Sequence, residues 1–495
     1  MRNSPTQSVL PTDAEAMAGS VPAPTLWPLH LGAFLATFMF SVSNVAIPAL
    51  KSDLGADDST SALVVGLFSA AFAAGLILCG RIGDRFGRRR LFTIGTGALV
   101  LVSLGVGLAP DSLTLLIART AQGLAAAVMM PQILASFQHA LTGSARLKAL
   151  SLFGAFSGVG TVGGQVLGGG LTSAFGDTWG WRAAFLSCGL VALAAFLGSL
   201  RLTESRSAHP GPLDLPGAIM LGIGMVALVI GLALGPVTGW LPLPGLLLAV
   251  SVLGLAAFAI WQNRAEAAGR DPLIPPQVVR VPAAWIGMLM ALVFFAGFGT
   301  FLFNFSLTSQ TGHGDPAWVS GIALGLFAAA FLFVSLLVPR VVGRLGGPGT
   351  MLLGTTLQVF SLVGVACVSA SAPEASWNLW LQIPALSLGA GQALQFGPLV
   401  GTVVGAVPDR VAGLSGGLIS TMQQAGIAVG VALLGALFHV FILDVGYDDA
   451  FALACLVQVV LSLAFGAGAL ALLRLSRRAR TRERDLVLAG RDALD

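Results

Sequence analysis

A single arginine interrupts the apolar run 112 to 134: Arg119, with Gln122 close to one helical turn further on. A guanidinium in such a run is costly unless a cavity or a polar partner receives it. Arg119 is therefore a candidate for binding or coupling. The other polar side chains inside apolar runs are hydroxyls and amides: Ser41, Ser43, Asn44, Gln122, Gln132, Gln165, Asn304, Ser306, Gln382, Gln392, Gln395, Gln423, Gln424 and Gln458. Amides in a membrane either glue helices together or meet a polar solute. None of the 22 acids lies well inside an apolar run, so the carboxylate usual for proton exchange within a membrane is missing. His139 and His439 fall near the ends of such runs, where solvation or packing suits them.

Nothing in the sequence brings covalent or metal chemistry to these groups. Cys79, Cys188, Cys367 and Cys455 are far apart, in or at the ends of apolar segments, and read as small core residues. No GxxxxGK[ST] phosphate loop is present, so nucleotide drive in this chain is not expected. No cofactor, metal or enzymatic activity is expected either.

The densest charge cluster is Gly80-Arg81-Ile82-Gly83-Asp84-Arg85-Phe86-Gly87-Arg88-Arg89-Arg90, placed in the short loop after the second apolar segment. Five arginines would anchor this loop on the cytoplasmic side. That leaves the glycines and the lone acid Asp84 unexplained. Glycine permits a tight reversal and close helix approach, so Gly80, Asp84, Arg85, Gly87 and Arg88 are candidates for a conformational role.

The elements that must position these groups follow from composition. The chain has 495 residues, 56% apolar and 10% charged, with a mean hydropathy of +0.88. Soluble domains carry about 25% charged residues, so a soluble enzyme, a nucleic-acid binder and a secreted disulfide scaffold are poor readings. About 20 apolar residues cross a bilayer as a helix. Fourteen segments qualify, near 27–50, 61–80, 91–109, 112–134, 149–172, 182–201, 213–235, 242–262, 282–308, 317–338, 349–370, 377–404, 412–441 and 450–473. All exceed the roughly ten residues of a barrel strand, and backbone groups in hydrocarbon must be satisfied internally. The expected fold is an all-α polytopic membrane protein.

Positive loops stay in the cytoplasm. With both termini inside, nearly all arginines fall on that side, and only Lys51 and Arg182 fall outside. The opposite loops hold Asp53, Asp57, Asp58, Asp111, Asp177, Asp315, Glu374, Asp444, Asp448 and Asp449. The polar stretches 201–212 and 263–281 divide the chain. Residues 1–26 form a disordered cytoplasmic tail and 27–201 a six-helix bundle. Residues 202–281 hold two extra transmembrane helices with cytoplasmic linkers, 282–473 a second six-helix bundle, and 474–495 a basic tail. An internal echo, Gly83 to Gly87 against Val342 to Gly346, points to two pseudo-symmetric bundles with a path between them, a transporter architecture.

The charged loop resembles the signature G-x-x-x-[DE]-R-x-G-R-[RK] of the major facilitator superfamily through Gly80, Asp84, Arg85, Gly87, Arg88 and Arg89. Arg119-Thr120-Ala121-Gln122-Gly123 is similar to that family's R-x-x-Q-G. Gly160, Gly164, Gly168 and Gly169 resemble its antiporter signature G-x-x-x-G-P-x-x-G-G, with Gln165 where the family places proline. Asn44-Val45-Ala46-Ile47-Pro48 resembles the end of the L-D-x-T-x-x-N-V-A-L-P signature of the fourteen-span drug:proton antiporter-2 branch. Gln424, Gly426, Gly430 and Val431 resemble its R-Q-x-G-x-x-x-G-V-A, with Gln423 in place of arginine. The alignment puts Met39 at the branch's aspartate and Ser41 at its threonine, the most informative departure.

This resemblance implies a fold in which helices 1, 4, 5, 9, 12 and 13 line the path. The candidate substrate or coupling cavity is then Met39, Ser41, Asn44, Arg119, Gln122, Gln165, Asn304, Gln392, Gln395 and Gln424. The four antiporter-signature glycines join the conformational set. The implied activity is secondary active export of small amphipathic compounds by alternating access, from the cell membrane (plasma or bacterial inner), with protons as the candidate coupling ion. An uptake or exchange carrier for an anionic metabolite and a non-transporting membrane sensor are the alternatives. The partners are a small-molecule substrate and the lipid bilayer, with no nucleic acid.

Overall fold

The computed structural model describes residues 26–208, 210–274, 276–373, 376–406 and 415–492. The tail over residues 1–25 and the link 407–414 lie outside that range. Long apolar runs become long helices because only the helix satisfies every backbone group within one segment. In chain order these are α1 (Trp27–Leu54), α2 (Asp58–Phe86), α3 (Arg88–Gly107), α4 (Ser112–Ala140) and α5 (Gly143–Ser199). Next come α6 (Leu215–Thr238), α7 (Leu243–Ala267), the short α8 (Pro276–Val279) and α9 (Pro282–Leu307). After a π turn over Thr308–Gly312, α10 (Ala317–Ala323), α11 (Gly325–Ser371), α12 (Trp377–Ala406) and α13 (Ser415–Asp492) complete the chain. Among the described residues, ten helical stretches are long and apolar enough to cross a membrane.

Three of these stretches contain a glycine with non-helical backbone: Gly176 in α5, Gly346 in α11 and Gly446 in α13, with φ of 71°, 74° and 80°. Positive φ is open to glycine at no steric cost, so the chain turns there without a loop. In α5 the direction reverses, since Gly160 faces Phe34 and Gly168 faces Val42 before the turn, while Gly198 faces Trp27 after it. Aspartates start other helices: Asp57, Asp111 and Asp214 each accept an N–H from the first turn of α2, α4 and α6, the usual N-cap arrangement.

The expected loop over Gly80–Phe86 is instead helical. It forms the end of α2, and only Gly87, at φ 116°, breaks the backbone before α3. Charged residues leave hydrocarbon but do not oppose the helix, so α2 continues until a residue with an incompatible backbone stops it. Asp84 is accordingly a helical residue.

Close helix approach is set by glycines. A methyl added to Gly160 would overlap the Phe34 carbonyl, and one on Gly164 would lie 2.7 Å from the Phe38 carbonyl, which brings α5 against α1. Gly426 and Gly430 of α13 meet the carbonyls of Leu292 and Ala296 of α9 in the same way. Gly123 of α4 meets the Phe68 carbonyl of α2, and Gly389 of α12 meets that of Phe327 in α11. One apolar core is built wholly from residues 26 to 202. The other joins α9 to α13 with facing residues of α1, α2 and α6. Outside these cores, Leu101, Val252, Phe360 and Leu379 are 67% to 72% exposed. Apolar surface on that scale calls for lipid rather than water.

Candidate functional site

The arginine-rich end of α2 is tied to the links around α6 and α7. Arg81 is buried, and its guanidinium donates to the carbonyls of Pro212, Asp271, Pro272 and Leu273. Beside it, the Asp214 carboxylate accepts from Gly217 N, Trp261 Nε1, Gln262 Nε2 and Leu273 N at 2.8 to 3.2 Å. Burial pushes the Asp214 carboxyl upward, yet these four donors outweigh it and hold it below its ordinary value. Asp84 pairs with Arg88 one turn on, at 2.7 Å, and its carbonyl accepts from Ser207 N. The Glu204 carboxylate accepts the N–H groups of Arg89 and Arg90 at the start of α3, where a helix favours an anion. Arg85 is exposed and lies over Phe86. Gly80 packs on Pro131 of α4, and Gly87 lies against Glu204. A gate contact of Asp84 with the start of the thirteenth apolar segment near Gly413 would fall outside the described residues.

Arg119 is fully buried. Its Nε donates to the Val64 carbonyl at 2.9 Å and its Nη1 to Gln122 Oε1 at 2.5 Å, and Gln122 in turn donates to Ser103 Oγ. The guanidinium lies 4.4 Å over the Phe68 ring and 5.3 Å over that of Phe185. All of these partners belong to α2, α3, α4 and α5, so the charge is held inside the first group of helices by a carbonyl, an amide and two aromatic faces. Met39 is fully buried in the same core.

The remaining candidates fall between α1 and α5, where α1–α5 meet α9–α13, or within the second group. Gly160, Gly164 and Gly168 face α1, whereas a methyl on Gly169 would overlap the Ala317 carbonyl of α10. Reciprocally, a methyl on Gly321 of α10 would overlap the Gln165 carbonyl of α5. Ser41 Oγ, Asn44 Oδ1, Gln392 Oε1, Gln395 Oε1, Gln424 Oε1 and both side-chain polar atoms of Asn304 are buried without a protein partner. Orphaned polar atoms in an apolar interior carry an unmet hydrogen-bonding demand, which a polar solute or water would satisfy. On the donor side, Gln395 gives Nε2 to Thr355 Oγ1 and Asn44 gives Nδ2 to the Phe40 carbonyl.

Four contacts between the groups had no signal in local sequence. Phe40 of α1 stacks on Phe298 of α9 with centroids 6.2 Å apart. Ser306 Oγ donates to the Asn44 carbonyl at 2.8 Å, and Gln310 Nε2 to the Val45 carbonyl at 3.1 Å. His439 of α13 pairs with Asp58 of α2 at 2.8 Å, and Asp58 also holds Lys51. The last two lie at the end opposite the arginine-rich one.

Residues 29–431 match the Major Facilitator Superfamily profile. Among similar proteins, a tetracenomycin C resistance and export protein of Streptomyces glaucescens is 30% identical over 90% of this chain and 81% of its own. A puromycin resistance protein of Streptomyces alboniger is 33% identical over 88% and 86%. Among solved structures, a POT family transporter in complex with a thioalcohol-conjugated peptide superposes with a TM-score of 0.67 at 13% identity, covering 92% of this chain and 96% of that one. With the helical signature elements placed as described and a profile match over most of its length, this chain belongs to the major facilitator superfamily.

Proposed function

We propose that this protein is a secondary active exporter of small amphipathic compounds that works by alternating access. The observation that carries the reading is the seam between α1–α5 and α9–α13: it is fastened at one end by His439 on Asp58 and Ser306 on Asn44, with orphaned amides in the interior. A seam of few polar contacts opens by parting the apolar contacts of α1 and α2 with α9 and α13, while the core built from residues 26 to 202 stays intact. Likeness to resistance and export proteins over most of the chain supports outward transport over the uptake of an anionic metabolite.

The membrane arrangement is part of this proposal. Ten stretches, three of them doubled at a glycine, together with Trp377–Ala406, make fourteen spans. The positive-inside rule then puts the arginine-rich end and both termini in the cytoplasm, in a cell membrane, and the fastened end outside. Support for two related bundles comes from paired contacts: Gly160 and Gly164 on Phe34 and Phe38 match Gly426 and Gly430 on Leu292 and Ala296, and Gly123 on Phe68 matches Gly389 on Phe327. In this reading residues 27–201 and 282–473 are the bundles, and 202–281 carries the extra pair. Protons are the proposed coupling ion.

The test is accumulation of puromycin and of an aromatic polyketide antibiotic in cells stripped of their own exporters. Expression should lower accumulation of at least one compound, and a protonophore should restore it. Unchanged accumulation of both, with the protein present in the membrane, would sink the assignment.

A further inference from the structure

Within α1, Pro48 lies in the helix interior. In an α-helix the N–H of residue 48 would bond the carbonyl of residue 44, and proline has no N–H. The Asn44 carbonyl therefore loses its intrahelical donor, although Asn44 is fully buried. A buried carbonyl without a donor is expensive. Here the donor comes from the other bundle: Ser306 Oγ of α9 reaches the Asn44 carbonyl at 2.8 Å, and Gln310 Nε2 reaches both Ser306 Oγ, at 2.8 Å, and the neighbouring Val45 carbonyl, at 3.1 Å. The Asn44 side chain does not compete for this site, because its Nδ2 is turned back to the Phe40 carbonyl. Gln310 belongs to the π turn Thr308–Gly312 that continues α9, so it lies on the same side as Ser306 while pointing at α1.

We propose that Pro48 is a positioning residue for the transport cycle: by withholding its N–H it creates an acceptor on α1 that Ser306 and Gln310 satisfy only while the outer ends of the two bundles are together. Separation of the bundles leaves the Asn44 carbonyl to water entering the cleft. The proline thus favours the outward-closed state without a charge. This rests on the alternating-access reading, and it assigns a mechanism to one residue of the Asn44–Pro48 run.

The proposal makes a specific demand on paired substitutions. Pro48→Ala restores the N–H, so the Asn44 carbonyl is satisfied within α1 and Ser306 has nothing to gain from it. Ser306→Ala removes the donor. If both act through one hydrogen bond, the double variant should be no more open than the more open single variant.

The experiment uses the full-length protein in nanodiscs without substrate, with Cys367→Ser, Ser52→Cys and Asp444→Cys spin-labelled at the outer end and the distance distribution read by pulsed dipolar spectroscopy. Each single variant should raise the open-to-closed ratio by about three- to fifteen-fold, the span of interhelical hydrogen bonds in membranes. Ser43→Ala, whose hydroxyl bonds only the Met39 carbonyl of its own helix, should leave the distribution unchanged. Multiplying effects in the double variant, or an unchanged distribution for Pro48→Ala, would overturn the proposal. Because the readout needs no substrate, a failed export assay would not produce either result.

Discussion

His439 of α13 places Nδ1 2.8 Å from Asp58 Oδ2 of α2, and the other carboxylate oxygen of Asp58 holds Lys51 of α1 at 2.5 Å. One carboxylate thus joins the first turn of α2 to the preceding helix α1 and to α13 of the second group. All three side chains are partly exposed, so each contact is worth no more than about 1 kcal/mol. His439→Gln should raise outer-end opening by up to about five-fold in the same spin-label distance distribution. Asp58→Asn should do so too, with a further loosening of Lys51. No change in either variant would make this pair an incidental surface contact.

The glycines of α5 should differ sharply in tolerance. Gly164→Ala puts a methyl 2.6 Å from Ser41 Cβ and 2.7 Å from the Phe38 carbonyl, whereas Gly154 and Gly158 have nothing within 4 Å. Overpacking of this kind costs about 1–3 kcal/mol. Thermal unfolding in detergent should therefore fall for Gly164→Ala and rise or stay level for Gly158→Ala. Equal behaviour of the two would show that α5 and α1 are not in close contact.

Asp84→Asn should separate function from folding. The Asp84–Arg88 pair is partly exposed and joins the end of α2 to the start of α3 across Gly87, so its loss should leave thermal stability within about 1 kcal/mol. Transport in everted vesicles should nevertheless fall several-fold if the acid serves a gate. Full transport by this variant would reduce the arginine-rich run to a topology anchor.

The linker network should show as an acid limb in stability. Donors on Asp214 hold its carboxyl below the ordinary value against the opposing effect of burial. A folded value below the unfolded one of about 3.9 means that Asp214 stabilises the fold above that pH, and that this contribution is lost as pH falls through the folded value. Unfolding followed in detergent from pH 5 down to pH 3 should show the loss in wild type and a flatter profile in Asp214→Asn. A wild-type profile with the same slope as the variant would remove Asp214 from the account.

Substrate charge should follow from the acids that the spans lack. With no acid well inside a span and a guanidinium that keeps its charge in proteins, neutral or anionic amphiphiles should be carried better than lipophilic dications. Counterflow in proteoliposomes with matched cationic and anionic dyes measures this. Met39→Asp should move the preference toward the cation, and Arg119→Lys should lower stability by roughly 1–3 kcal/mol, the worth of hydrogen bonds to a charged group, because one ammonium cannot reach Val64 and Gln122 while lying over Phe68 and Phe185. Strong proton-driven transport of a dication by wild type would be the contrary result.

What the sequence determined by itself is what hydrocarbon imposes on any chain. Runs of 20 or more apolar residues must be helical, and the arginines mark one end of the helix array. The signatures around Asp84 and Arg119 and the glycine spacing of α5 carried the family, which the profile match over residues 29–431 bore out. The tertiary structure decided which way each helix is turned. Because these helices are apolar on nearly every face, periodicity cannot assign a side chain to lipid, to its own bundle or to the opposite one. Arg119 could have faced a cavity, and it faces Phe68 and Phe185. Gly80–Phe86 could have been a loop, and it is helix because nothing before Gly87 opposes one. Pro48 reads in sequence only as the end of the Asn44–Pro48 run, and the approach of α9 gives its missing N–H a consequence, through Ser306, 262 positions beyond Asn44.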